Sequence, residues 1–160
     1  MAKHVGNALP PGLLDKLRGG ALYRTGGLGL PVLTVDAAGW PHAAMAPGAV
    51  AARPDEVWVA LGGKTGSLQN IERDGRMTLL MAGPDTLYYI KGDAAVIRPE
   101  MQMMAQEAAL RLRVTEVLQD MEPFVTITGG VSYRYGVIHE DFITLIGRLL
   151  DELQALAEGR

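Results

Sequence analysis

The chain of 160 residues contains no cysteine. This absence excludes disulfide bonds, a thiolate nucleophile and any metal cluster held by cysteine. The only three histidines, His4, His42 and His139, are far apart, and no two of them have the spacing of a metal site on one helix or strand. We therefore expect no metal centre.

Long apolar runs and strongly basic runs are also missing. Glycine, proline or a charged residue interrupts each apolar stretch before it reaches the roughly 20 residues of a membrane span. The first residues lack the apolar segment of a signal peptide. The net charge is −3, which argues against a nucleic-acid surface. We expect a cytoplasmic protein with neither a membrane nor a nucleic-acid partner.

The residues that are present fit a globular domain, because 48% are hydrophobic and 21% are charged. The length predicts a single domain over residues 1–160. Short runs of β-forming residues follow one another with glycine- and proline-rich turns between them. This order favours an antiparallel barrel or sandwich over a doubly wound sheet. The predicted barrel core covers about residues 28–98 and 123–140.

Helical patterns flank these strands. A short helix is predicted over residues 10–19, where Gly19 and Gly20 supply the stop. Pro99 is expected to open a long helix over about residues 100–120. A last amphipathic helix is predicted over about residues 141–157. The predicted fold class is thus mainly β with peripheral helices.

The stretch Gly62-Gly63-Lys64-Thr65 has some features of a phosphate-binding loop. A P-loop also needs a glycine five places before Gly63, and Trp58 stands there. A glycine-rich turn remains, with Lys64, Thr65 and Ser67 leading into a short helix over about 68–74. Helix N-termini favour anions, so this turn fits a phosphate monoester or merely a capped helix.

Three short motifs in order resemble the pyridoxamine 5'-phosphate oxidase-like family of flavin-binding split β-barrels. The likeness covers roughly residues 28–98. The motifs are an acidic turn, an asparagine-containing helix and a strand with a central glycine, matched by Asp36, Gly39 and Pro41, by Asn70, Ile71, Arg73, Asp74 and Arg76, and by Ile90, Gly92 and Ala94.

The resemblance implies a six-stranded antiparallel split β-barrel that forms a homodimer with FMN sites at the interface. It places the flavin phosphate near the turn before the helix, and the ring beside the second and third strands. Two sets of cofactor-binding residues follow from it: Lys64, Thr65, Ser67 and Asn70 for the phosphate and ribityl chain, and Ala44, Met45, Ala46 and Pro47 for the ring.

The resemblance implies an FMN-dependent oxidoreductase that acts on a small molecule, with neither its substrate nor its catalytic residues indicated. Many flavin-binding members carry a basic residue on the second strand and another three residues before the asparagine. Here His42 is the only candidate on that strand, and Ser67 precedes Asn70 by three. The alternatives are therefore a non-enzymatic protein that binds a flavin, a deazaflavin or haem, and a ligand-free dimerisation domain.

Overall fold

The computed structural model describes residues 2–24, 29–83, 86–133 and 140–160. In these ranges the chain forms eight strands, four α-helices and one 3-10 turn at Arg18–Gly20. In chain order the elements are β1 (Lys3–Gly6), α1 (Pro11–Leu17), α2 (Ala21–Arg24), β2 (Leu30–Val35), β3 (Pro41–Ala46), β4 (Gly48–Val50), β5 (Glu56–Gly62), α3 (Gly66–Asp74), β6 (Arg76–Gly83), β7 (Thr86–Arg98), β8 (Glu107–Asp120) and α4 (Glu140–Ala157).

All paired strands are antiparallel and belong to one sheet. Its order is β3-β2-β6-β7-β8-β5-β4, and β1 pairs with the far end of β8. The predicted class, mainly antiparallel β with peripheral helices, is confirmed. The described residues form eight strands where six were predicted, because the short β1 and β4 add to the barrel strands.

Pro47 brings the two ends of the sheet together. Strands β3 and β4 lie at opposite ends of the strand order, yet only Pro47 separates them in the chain. Proline has no backbone N–H and suits a point where a strand changes partners. The sheet must therefore curl until its two ends meet.

The turn between β2 and β3 is built by Asp36, as the acidic turn motif predicts. One carboxylate oxygen accepts hydrogen bonds from the backbone N–H groups of Ala38 and Trp40, each at 2.9 Å. Gly39 has a φ of +87°, which glycine adopts without strain. This turn fixes the register in which His42 pairs with Thr34.

The core fills the inner face of the sheet and the face that α4 covers. Fully buried apolar residues line the inner face, among them Val32, Leu79 and Ile90. On the other face α4 packs so tightly on Gly48 that a Cβ atom there would lie 2.6 Å from Cδ2 of Leu149. The helix predicted over about 141–157 corresponds to α4.

The helix predicted over about 100–120 is wrong. Residues 107–120 form β8, the longest strand described. Buried Leu110, Leu112 and Val114 alternate with exposed Arg111 and Arg113, which is the period of two typical of a strand. Pairing with β7 and β5 outweighs the helix-forming residues of this segment.

The predicted barrel segment at 123–140 forms no barrel strand in its described part. Residues 121–133 are irregular apart from an isolated bridge at Ser132. Residues 134–139 lie outside the described residues. The exposed Phe124 and Val125 show why β-forming composition misled here: these side chains pack on no sheet.

Candidate functional site

The turn that leads into α3 is held by Thr65. The Thr65 hydroxyl donates to the carbonyl of Gly62 at 2.8 Å and accepts from the backbone N–H of Leu68 at 3.4 Å. Thr65 is thus the N-cap of α3. Its hydroxyl shapes the turn, and the N–H groups of the first helical turn have no acceptor within the helix.

Asn70 ties α3 to the sheet. It is only 5% exposed, and its amide nitrogen donates to the hydroxyl of Thr34 at 3.0 Å. Its amide oxygen accepts from Arg73 at 3.0 Å. Both ends of the amide are therefore engaged within the protein, which makes Asn70 a brace for α3.

Ser67 and Lys64 differ from these two residues. The Ser67 side chain is fully buried, and its hydroxyl has no hydrogen-bond partner among the described residues. Buried polar atoms are nearly always paired, so this hydroxyl needs a partner that the described residues do not supply. Lys64 is exposed on the turn itself.

His42 joins this end of the site, although it is not one of the predicted cofactor-binding residues. A Cβ atom placed on Gly66 would lie 3.4 Å from Cε1 and 3.6 Å from Nε2 of His42. The imidazole therefore rests against the first residue of α3. The only sequence signal was its place on the second predicted strand, because nothing in the pattern linked it to Gly66.

The four residues predicted to border a ring lie at the other end of β3. Ala44 packs against the core, while Met45 is 44% exposed. Ala46 is buried, and its carbonyl accepts a hydrogen bond from the Tyr23 hydroxyl at 3.1 Å. Pro47 follows at the bend between β3 and β4.

Three of these four residues line one apolar cavity. Met45, Ala46 and Pro47 border a space of about 280 Å³, together with Tyr133 and Phe142 from the later part of the chain. Its wall is almost entirely apolar. Two other cavities of about 400 and 420 Å³ contain none of the predicted site residues.

Strand β3 links the polar turn to the cavity. His42 and Ala46 are separated by about 13 Å at the usual rise of an extended strand. In the described sheet β3 pairs with β2 alone, so half of its backbone N–H and C=O groups lie outside a ladder. A ligand along this edge would meet the helix start at one end and the apolar cavity at the other.

Glu107 adjoins the turn from the side of β8. It pairs with Gly62, the last residue of β5. Its Oε2 atom is buried without a hydrogen-bond partner among the described residues, and burial raises the pKa of this carboxyl above its usual range. The predicted helix over 100–120 concealed this residue, since the pairing requires β8 to be a strand.

Comparison with known proteins shows the fold. No family model matches the chain. The chain is 27% identical over 127 residues to the uncharacterised protein YclD of Bacillus subtilis. The aligned region covers 78% of this chain and 82% of YclD.

Among solved structures, a candidate pyridoxamine 5'-phosphate oxidase from Lactobacillus delbrueckii matches with a TM-score of 0.57 and 18% identity, over 72% of this chain and 98% of that one. HupZ from Group A Streptococcus matches with a TM-score of 0.51 and 15% identity, over 75% and 98%. The hypothetical protein Rv2991 of Mycobacterium tuberculosis matches with a TM-score of 0.53 and 14% identity, over 78% and 96%. The chain has a split-barrel fold of the pyridoxamine 5'-phosphate oxidase type.

None of the described helices is long and apolar enough to cross a membrane. No group of three or more described histidine, aspartate and glutamate side chains could hold a metal ion.

Proposed function

We propose that the protein binds FMN along β3 and uses it as an oxidoreductase. The observation that carries this proposal is the arrangement on β3 itself. One end of the strand brings His42 against the start of α3, and the other end lines an apolar cavity. A flavin nucleotide has this polarity, with an anionic phosphate at one end and a planar apolar ring at the other.

The phosphate end fits the residues around the α3 start. First-turn N–H groups and the positive end of the helix dipole attract an anion. Lys64 supplies a cation, Ser67 a hydroxyl that has no partner among the described residues, and His42 a ring nitrogen. Thr65 and Asn70, which the resemblance also assigned to the phosphate, would act by shaping the turn and by holding α3 in place.

The ring end fits the cavity beside Met45, Ala46 and Pro47. An apolar wall excludes water from one face of a bound ring, and the flavin, when bound, supplies the hydride or electron transfer. The cavity of about 280 Å³ lies at the lower limit of ligand pockets, which begin at roughly 300 Å³. One chain would therefore provide only part of the enclosure.

We propose that a second copy of the chain completes it. Three side chains that line the cavity stay exposed in the single chain: Met45 at 44%, Val131 at 47% and Phe142 at 39%. Clustered exposed apolar groups of this kind mark interaction surfaces. The homodimer expected from the resemblance would cover them and place each cofactor at the interface.

The dimer can be tested with Val131→Lys, followed by light scattering. A charge placed at the cavity rim should give monomers and weaken FMN binding. Val125→Lys is the matched control, because Val125 is a similarly exposed residue of the same irregular segment and does not line the cavity. Dimers that persist in the Val131 variant would reject this interface.

The function itself is tested by the visible absorption of the purified protein before and after FMN is added and excess removed. We expect about one flavin per chain and sustained oxidation of a reduced nicotinamide in air. Lys64→Ala should weaken FMN binding at least several-fold, since a charge-assisted hydrogen bond contributes about 1.5–3 kcal/mol, with the dimer intact. Failure to retain flavin would reject the proposal, and retention without turnover would leave a binding protein.

A further inference from the structure

The side chain of Glu107 lies on the same face of the sheet as the cap of α3. Glu107 and Gly62 are directly paired, and paired residues of an antiparallel ladder project to one face with Cβ atoms about 5 Å apart. On that face a Cβ atom at Gly62 would lie 2.7 Å from Cγ2 of Thr65. The carboxyl group of Glu107 therefore extends from a position beside the cap.

A backbone hydrogen bond fixes this arrangement. The N–H of Gly63 donates to the carbonyl of Gln106 at 2.8 Å. Residues 62–65 and 106–107 thus form one rigid corner. Lys64 and Glu107 are therefore parts of the same corner.

Two buried polar atoms flank the corner without partners among the described residues, namely Oγ of Ser67 and Oε2 of Glu107. A serine hydroxyl can donate a hydrogen bond, and so can a protonated carboxyl group. Oxygen atoms of a phosphate monoester accept hydrogen bonds from both. An ionised carboxylate at the same position would instead repel the phosphate.

We propose that Glu107 makes phosphate binding at this corner proton-linked: its neutral carboxyl donates a hydrogen bond to the phosphate, and its carboxylate opposes binding. This inference rests on the proposed FMN function and adds a specificity-determining residue to it. Affinity for the phosphate group should therefore fall as the pH rises through the titration of Glu107.

Burial, and not a charge on a neighbouring element, shifts the pKa of the Glu107 carboxyl. Lys64 stands on the turn, and Arg98 and Glu100 lie on the segment around the end of β7. On α4, Glu152 is already engaged by Arg98 at 2.7 Å and by two backbone N–H groups. Desolvation is the cause that raises the pKa of Glu107, in the direction that favours the neutral acid.

The test compares the wild type with Glu107→Gln, which keeps a neutral donor at every pH, and with Glu100→Gln as control. Glu100 is an exposed acid of the adjoining segment, so its substitution changes the net charge equally. FMN and riboflavin are titrated by fluorescence from about pH 5 to about pH 8. Comparison at equal pH cancels the ionisation of the ligand.

We expect the FMN affinity of the wild type, relative to Glu107→Gln, to fall about tenfold or more over this range, with the Glu100 variant following the wild type. Riboflavin, which lacks the phosphate, should show no such change. A constant ratio for FMN would overturn the proposal while leaving FMN binding intact. Absence of FMN binding in all three proteins would reject the proposed function and this inference with it.

Should Glu107→Gln fail to fold, as judged by circular dichroism, Glu107→Ala takes its place, because alanine also carries no ionisable group. The FMN affinity of the wild type relative to Glu107→Ala must then fall with rising pH. A constant or rising ratio would overturn the proposal.

Discussion

The two ends of β3 are positioned by different kinds of interaction. At the polar end, named hydrogen bonds of Thr65 and Asn70 fix the start of α3. At the apolar end, leucines of α4 pack on Gly48, and the Tyr23 hydroxyl donates a hydrogen bond to the carbonyl of Ala46. Directional bonds suit a site that must meet a small anion at defined points, whereas packing suits a surface that only has to exclude water.

The largest effect is expected from weakening the apolar end. Leu153 is fully buried, with Cδ1 3.5 Å from a Cβ atom placed on Gly48. Leu153→Ala should lower the free energy of unfolding by about 2–5 kcal/mol, measured by urea denaturation. Ile143→Ala is the control on the same helix, because Ile143 is 56% exposed. Equal losses in the two variants would show that α4 does not hold this end by packing.

A smaller effect is expected at the polar end from Asn70→Ala. The substitution leaves the buried hydroxyl of Thr34 unpaired, which costs about 1–3 kcal/mol. Urea denaturation measures the loss, and Gln69→Ala, at an exposed position of the same helix, is the control. If Asn70→Ala kept full stability, the brace between α3 and β2 would lose its support.

The smallest expected effect is a loss of affinity for FMN that riboflavin does not share. His42→Ala should weaken FMN binding about three- to tenfold, the value of one hydrogen bond, and leave riboflavin binding unchanged. Met45→Ala should weaken both equally, because it alters only the ring end. Fluorescence titration of both ligands gives the comparison. Equal losses for FMN and riboflavin in the His42 variant would place the imidazole away from the phosphate.

The sequence was informative where local chemistry dominates. The Asp36 turn follows from residues close together in the chain, and each of the hairpins β2–β3, β4–β5 and β6–β7 joins two consecutive strands. Strand β8 was mistaken for a helix because its alanines, leucines and arginines are helix-forming residues. Its partners β5 and β7 decide the outcome, and a local residue pattern does not reveal the pairing with β5, which precedes β8 by α3, β6 and β7.

The candidate site divides in the same way. The places of Lys64 on a turn and of Ser67 at a helix start were predictable, because a glycine-rich turn and a helix start carry their own signal. The bracing roles of Thr65 and Asn70 required their partners to be known. His42 and Glu107 reach the turn from two other strands, and only the register of β3 and β8 brings them there.

The bend at Pro47 bears on the order in which the barrel can assemble. Hairpins β2–β3 and β4–β5 each join neighbouring segments, so both can form from local contacts as soon as residue 62 is available. Strand β8 then lies between β7 and β5 in the sheet. Its pairing with β5 joins residues far apart in the chain, and such pairings form slowly. A chain ending before β8 would keep both hairpins. Its sheet would then consist of two parts, β3-β2-β6-β7 and β5-β4, with no strand paired to both and with Pro47 as the link between β3 and β4.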